Sequence, residues 1–466
     1  MRKLTLRGCT LLLASVAFVG TAYADNSYGP YPVTLKSYSG DKKNSVSYSG
    51  QIARHVLEKS LKKLAGKGDG GGNAAEVEAQ LLKYYNGKDG DLPIVDPKSK
   101  DGFPIKQKTM GEISGGANLE GKFYNGAMPA WPGNKTGKEV ILHMFKHAAK
   151  SKGGFDAETG FDWGQLISKY TMGAVPFNQA VDNYLDEKMQ ADNKPNGKPY
   201  KDGAHYTGKE HSWDEAFGYF GAAAHSLSLS ANDNYGVSKL KDLGLADANG
   251  DGVVDLKTEM VFGPAYYAAD ADKSGTKYME AIVGSFIEGR KVITSAKGEN
   301  LSADQLAAVQ KHAANITSNW EKVLAEATFK YAGSVYKDIA KLGAEKDEAK
   351  KAKIYRDYAK HWGELKGFSM ALQAGKTNLG ETAVEMNKLI GFSPVTMNNK
   401  IVTGLDGDGN FVMDRRKAWS DYQLHMLKLQ KMLATKFGLK ALKNDATGDL
   451  AALAEKLDTD LNAETD

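Results

Sequence analysis

The sequence predicts a mainly α-helical protein with an internally repeated helix pattern behind a loop-rich N-terminal part. Three observations predict it. Long runs in the second half, Ser302 to Leu342 and Glu348 to Ala374 above all, repeat their apolar residues at helical spacing. A pattern W-x-E-x-x-G-[YF]-x-x-A occurs at Trp213, Glu215, Gly218, Tyr219 and Ala222, and again 149 residues later at Trp362, Glu364, Gly367, Phe368 and Ala371. The run around the first copy carries two stripes. Trp213, Phe217 and Phe220 fall at i, i+4 and i+7, and His211, Glu215, Gly218, Ala222 and roughly His225 follow one another on a neighbouring face. A buried carboxylate without a partner is costly, so that second face must meet water, a cation or a donor from another helix. The doubled pattern reads as a duplication in which each copy supplies one inward-facing Glu; the plain alternative is two unrelated helices with Trp anchors.

Taken in order, the chain opens on an export signal. Arg2, Lys3 and Arg7 precede the apolar run Thr10 to Gly20, and Ala22-Tyr23-Ala24 gives a small-x-small cleavage site, so residues 1–24 are expected to leave and the mature chain to begin at Asp25. The one cysteine, Cys9, stands ahead of the apolar run, where a lipid-modified cysteine would follow it. The mature chain then has no disulfide and no thiolate ligand or nucleophile. Losing three basic residues takes the formal charge from +4 to about +1. A near-neutral chain with interspersed Lys and Glu makes no case for nucleic acid or an anionic membrane, and no later apolar run has the length of a membrane span. The expected location is periplasmic or secreted.

Residues 25–138 form the loop-rich part. SYGPYPVTLKSYSG is extended or irregular, Gln51 to Leu64 is an amphipathic helix carrying Arg54 and His55, GKGDGGGN is a connector, and Ala74 to Tyr85 is a second helix. Asn86 to Gly137 is rich in Gly, Lys and Pro, and loops of that length are usually functional or mobile. The first bundle is expected over 139–300. Its opening helix, Glu139 to Lys150, places His143 and His147 at i, i+4; that spacing can serve a metal, but with no carboxylate motif beside it a half-exposed helix face is the better reading. A helix ending near Met172, a break at Gly-Ala-Val-Pro and a second helix lead to the central run.

Asp247-Ala248-Asn249-Gly250-Asp251-Gly252-Val253-Val254-Asp255 is the most specific local motif. Calcium needs several oxygens from one short loop. Asp247, Asn249 and Asp251 stand at positions 1, 3 and 5, Gly252 at the sharp turn, Val253 offers a carbonyl at 7 and Asp255 stands at 9. Thr258 occupies position 12 and Glu259 lies one further on, so Glu259 is the expected last ligand. Asp270 to Gly275 and Asp406 to Asn410 are partial echoes. Lys277 to Ala296 is helical and offers Arg290 as the donor for one of the inward Glu residues. The second bundle is expected over 301–440, including a helix from Asp414 to Phe437, with an acidic tail over 441–466.

The runs Gly50-Gln51-Ile52-Ala53-Arg54, HSWDEAFGYFG and DANGDGVVDL, in this order after a signal peptide, resemble an uncharacterised family of exported bacterial proteins related to imelysin. The resemblance implies an all-α fold of two similar bundles and a role in iron or other transition-metal uptake at the cell envelope, with an envelope protein as partner. Imelysin-like proteins carry G-x-H-x-x-E. Here Gly208, His211 and Glu215 have longer spacings, while His361 and Glu364 keep H-x-x-E but Ala359 stands in place of the Gly. Three functions follow. The first is a binding protein for metal acquisition, with His211, Glu215 and Glu364 holding a metal ion or small ligand. The second is a metal-dependent hydrolase with Glu215 as base. The third is a structural interaction module. No Ser-His-Asp set, phosphate loop or nucleotide fingerprint supports an enzyme.

Overall fold

The computed structural model describes residues 26–375 and 379–457. The expected signal peptide, with Cys9 and the Ala24/Asp25 junction, lies outside the described residues. So do 458–466 of the expected tail.

The fold is helical. The helices run α1 Ser49–Leu64, α2 Ala74–Asn86, α3 Gly137–Lys150, α4 Trp163–Met172, α5 Gly208–Phe220, α6 Ala231–Ser238, α7 Gly263–Asp272, α8 Tyr278–Ser295, α9 Ala303–Ala344, α10 Glu348–Gln373, α11 Glu381–Ile390, α12 Trp419–Phe437 and α13 Leu450–Lys456. Local chemistry starts several of them. Thr136 with Glu139, Thr207 with Glu210 and Ser302 with Gln305 form capping boxes on α3, α5 and α9, each pair satisfying two otherwise orphaned donors. The long helix α9 packs along α10, α8 and α12; α10 lies on α4, and α1 touches α2, α4 and α5. One continuous hydrophobic core joins buried residues from Tyr28 to Leu439.

Four sequence expectations change. The Gly-Ala-Val-Pro break does not occur: α4 continues as a wider π-type helix, Gly173–Gln190, running through Pro176. Proline removes one N–H and crowds the preceding turn, and a widened helix accommodates both. The central helix stops at Phe220, where Gly221 takes φ +75°, so Ala222 and His225 leave the stripe assigned to them. The helix expected from Asp414 begins at Trp419, and residues ahead of it form two short antiparallel ladders, β1 Lys400–Ile401 with β4 Arg415–Arg416, and β2 Gly404–Leu405 with β3 Phe411–Val412. The region expected as tail from 441 carries α13, whose Leu450 and Ala454 bury against Leu424 and Leu427.

Candidate functional site

Nearly every side of α5 is buried, and its residues divide among three neighbours. Trp213 is fully buried, and its indole N–H donates to the Phe286 carbonyl at 2.8 Å. Glu210 and Asp214, one turn apart, face α8 and there meet Arg290. The guanidinium donates to Asp214 at 2.9 Å, Glu210 at 3.1 Å, Thr294 at 2.6 Å and Ser45 at 2.7 Å. Tyr28 (2.6 Å) and the Ser47 N–H (3.0 Å) donate to Asp214, and Thr34 (3.0 Å) donates to Glu210. Arg290, Glu210 and Asp214 are each 0 % exposed. The two carboxylates raise the Arg290 pKa despite burial, so the guanidinium stays charged. This knot straps the irregular N-terminal segment onto the helices. Its carboxylates stand one residue ahead of His211 and Glu215, on one side of the stripe the sequence favoured, and Arg290 serves neither Glu215 nor Glu364.

Glu215 faces the opposite way. It accepts from Gln51 on α1 at 2.8 Å and lies 3.8 Å from the His211 Nε2. The His211 ring stacks on Tyr206 with centroids 4.4 Å apart and meets the edge of Tyr200 at 4.3 Å. Burial lowers the His211 pKa, with Glu215 opposing the shift. Two glycines of the doubled pattern play the same part. A Cβ on Gly218 would stand 2.7 Å from Tyr48 and 2.9 Å from Gln51, and one on Gly367 would stand 2.5 Å from the Lys169 Cβ. Each copy therefore lets another segment lie directly on its helix: the start of α1 on α5, and α4 on α10.

Glu364 stands elsewhere. It lines a cavity of about 220 Å³ between α1, α4, α7 and α10, together with Glu58, Ser168, Lys169, Tyr266 and Tyr267. Tyr331 donates to its Oε1 at 3.0 Å, and Ser168 donates to Glu58 Oε1 at 2.7 Å. Lys59, Lys62, Lys63, Lys100 and Lys239 complete the basic lining, so six lysines face three carboxyl groups, Glu58, Asp96 and Glu364. Lys62 donates to Gln165 at 2.9 Å, and Lys59 lies 4.0 Å from Asp96. Lys169 is 6 % exposed. Its ammonium has no hydrogen bond or ion pair among the described residues and lies over the rings of Tyr267 (5.4 Å) and Phe368 (6.0 Å). Burial holds its pKa well below the ordinary lysine value, and Lys62 pushes the same way. Burial likewise takes Lys239 down to about 8 and raises Glu58. An anion beside such amines would favour their charged form.

The four residues expected at one site thus fall in three places: Arg290 in the knot, His211 with Glu215 among tyrosines, and Glu364 at the cavity. The glutamates meet α1 at different levels, Glu215 at Gln51 and the Glu364 cavity at Glu58, about two turns or roughly 10 Å along the helix. Sequence reasoning missed Lys169. The available signal was a lysine inside QLISKYTM, an otherwise apolar helix face.

The Asp247 loop is wound tightly. Asp247 accepts the N–H groups of Asp251 (3.1 Å) and Gly252 (2.9 Å), and Asn249 accepts that of Asp251 at 2.8 Å. Val253 follows, its N–H held by Asp251 at 3.1 Å. Asp255 turns to Gln107 (2.7 Å) and Lys106 (3.4 Å), while Glu259 caps the Asp255 N–H at 2.7 Å. Among the described residues no group of three or more His, Cys, Asp or Glu stands placed to hold a metal ion. The Gly409 carbonyl accepts from His143 Nε2 at 2.8 Å, and His147 stacks on Trp163, so that pair packs the Asp406 turn against α3. Asp270 is taken by Lys330 (2.8 Å) and Lys443 (2.7 Å).

Residues 144–346 match the model of a domain family. It is described as a domain of unknown function, DUF4856. The match takes in Glu210, Asp214 and Arg290 of the knot, the Asp247 loop and Lys169, leaves out the knot's N-terminal partners, and ends two residues ahead of α10, which carries Glu364. No curated protein and no solved structure matches the chain. No helix among the described residues is long and apolar enough to cross a membrane.

Proposed function

We propose that this chain is an exported binding protein whose ligand enters the Lys169–Glu364 cavity as an anion. The observation that carries the reading is Lys169, a buried residue whose ammonium has no hydrogen-bond acceptor among the described residues, on the wall of a cavity with twice as many lysines as carboxyl groups. A role in iron or other metal acquisition keeps one form under this reading: the metal arrives inside an anionic chelate, since a lining of six lysines is a poor neighbour for a bare cation. The same charge balance disfavours a hydrolase built on a metal-activated water. The two copies of W-x-E-x-x-G then mark two bundles of common descent, as the imelysin resemblance implies. Titration calorimetry at low ionic strength and pH 7, with citrate and with ferric citrate, tests the site. Wild type should bind and Lys169→Met should bind at least tenfold more weakly. Equal affinity would remove Lys169 from the site, and no binding by wild type would leave the interaction-module reading.

A separate proposal concerns calcium at Asp247, Asn249, Asp251, the Val253 carbonyl and Glu259. It is supported by the wound loop, in which Gly250 and Gly252 adopt φ +71° and +83°. Asp255, already held by Gln107 and Lys106, would have to turn to join. A ligand at a hundredfold excess over Kd stabilises the native state by about 2.7 kcal/mol. Calcium should raise the melting temperature of wild type and leave Asp251→Ala unchanged; an identical rise in both would make the loop a turn only.

A further inference from the structure

The wall of the Lys169 cavity carries acceptors as well as cations. Glu58 and Glu364 are 4 % and 7 % exposed, and each has one carboxylate oxygen engaged, by Ser168 and Tyr331 respectively. The second oxygen of each has no hydrogen-bond partner among the described residues and borders the cavity. Both oxygens stay open to a ligand in the cavity, and two carboxylates repel one that offers only negative charge. The occupant that satisfies this wall brings an anionic group for Lys169 and hydrogen-bond donors for Glu58 and Glu364. Those donors are better supplied by hydroxyls than by an ammonium, because the surrounding lysines repel a second cation. Tyr266, Tyr267 and Phe262 add faces that suit the C–H side of a hydroxylated carbon skeleton. A volume of about 220 Å³ limits the ligand to a small metabolite.

We propose that the cavity selects a hydroxylated organic anion, a hydroxy acid or sugar phosphate, over anions of the same charge that lack hydroxyls, with Glu58 and Glu364 reading the hydroxyls and Lys169 the charge. This rests on the anion-binding reading above. The test is calorimetry on the full mature chain with matched pairs: tartrate against succinate, citrate against tricarballylate, glucose 6-phosphate against inorganic phosphate. In at least one pair the hydroxylated member should bind tenfold or more tightly. Glu364→Gln should shrink that ratio at least threefold while leaving phosphate affinity equal or higher, because a repelling charge has gone. Loss of fold would weaken both members together and cannot mimic opposite movements; a circular-dichroism melt of the variant confirms that it is folded, and Glu58→Gln offers the same readout from the other wall. Anions that bind with equal affinity across every pair overturn the hydroxyl selectivity while leaving the anion site standing. No binding of any anion by wild type overturns the site itself.

Discussion

Around Arg290 one cation meets two carboxylates and several neutral groups in a closed core; around Lys169 six lysines meet three carboxyl groups along an open cavity. Both clusters bury charge, and burial is costly in either place. In the knot the cost is offset within the molecule. Asp214 takes hydrogen bonds from Arg290, Tyr28 and the Ser47 N–H, and Glu210 is shared between Arg290, Thr34 and the capping of α5. At the cavity it is not: among the described residues the Lys169 ammonium meets ring faces and no acceptor, and burial lowers its pKa. A structural cluster can be complete on its own. A binding cluster stays incomplete until something joins it, and that difference separates the two better than the count of charges does.

The sharpest way to break the comparison is to remove the cation from each. Arg290→Met strands Glu210 and Asp214 in the core, and breaking a buried pair from one side costs about 3–5 kcal/mol. Lys169→Met removes an ammonium that has no hydrogen bond or ion pair among the described residues and should leave stability unchanged or raised. Urea unfolding of both variants measures this, and a larger loss in Lys169→Met than in Arg290→Met would reverse the roles assigned here.

Much of the fold was legible because it rests on local chemistry. Amphipathic spacing and Gly-rich breaks located α1, α2, α3, α8, α9 and α10 within a few residues. What periodicity could not resolve was which polar residue of α5 faces which neighbour. On a helix buried nearly all round, Glu210, Asp214 and Glu215 stand within two turns, and only the position of α8, some seventy residues onward, decides that Arg290 takes the first two. The cavity was half legible. Glu364 was found through the doubled pattern, but Lys169 meets it from a helix almost two hundred residues earlier, a juxtaposition no spacing rule contains.

A second prediction tests the element that links the regions. Helix α1 holds Glu215 through Gln51, the Gly218 carbonyl through His55 and the cavity through Glu58. His55 is 1 % exposed, its Nε2 lies 3.1 Å from that carbonyl, and burial lowers its pKa to about 4. The folded state therefore resists a proton that the unfolded chain accepts near pH 6.5. Stability from this group is complete above pH 6.5, is lost as pH falls from there to about 4, and changes no further below. A gap of that size corresponds to about 3 kcal/mol. His55→Gln keeps an N–H for the carbonyl and should flatten that part of the pH–stability curve; an unchanged slope would assign it to other groups.

The two pattern glycines give a third. Gly218→Ala and Gly367→Ala each press a methyl into a neighbouring segment at under 3 Å, and overpacking costs about 1–3 kcal/mol. Only Gly367→Ala pushes on Lys169, so at comparable loss of stability it alone should weaken citrate binding. Equal binding losses in both would mean that the cavity responds to general loosening.

The smallest effect discriminates most finely. Lys239 lines the cavity with a pKa near 8, lowered first by burial and then by Lys62, with Glu364 opposing and Lys330 and Lys59 adding to the fall. Its ammonium also lies 4.4 Å from the Tyr266 ring and 5.5 Å from that of Tyr235. An anion in the cavity prefers the protonated amine, so affinity should drop as pH rises from 7 to 9, by up to about tenfold for the loss of one nearby charge worth about 1.4 kcal/mol. Stability moves the other way. The folded pKa lies below the unfolded value of about 10.4, so between pH 8 and 10 the unfolded chain holds the proton that Lys239 has released, and this group makes the free protein more stable as pH rises. Alkaline unfolding would lower affinity and stability together. Measuring both on one sample separates these cases, and Lys239→Gln should remove the affinity slope while still binding citrate weakly. A slope that survives in Lys239→Gln would move the titrating charge to Lys169, which would still place it inside the cavity and outside the Arg290 knot.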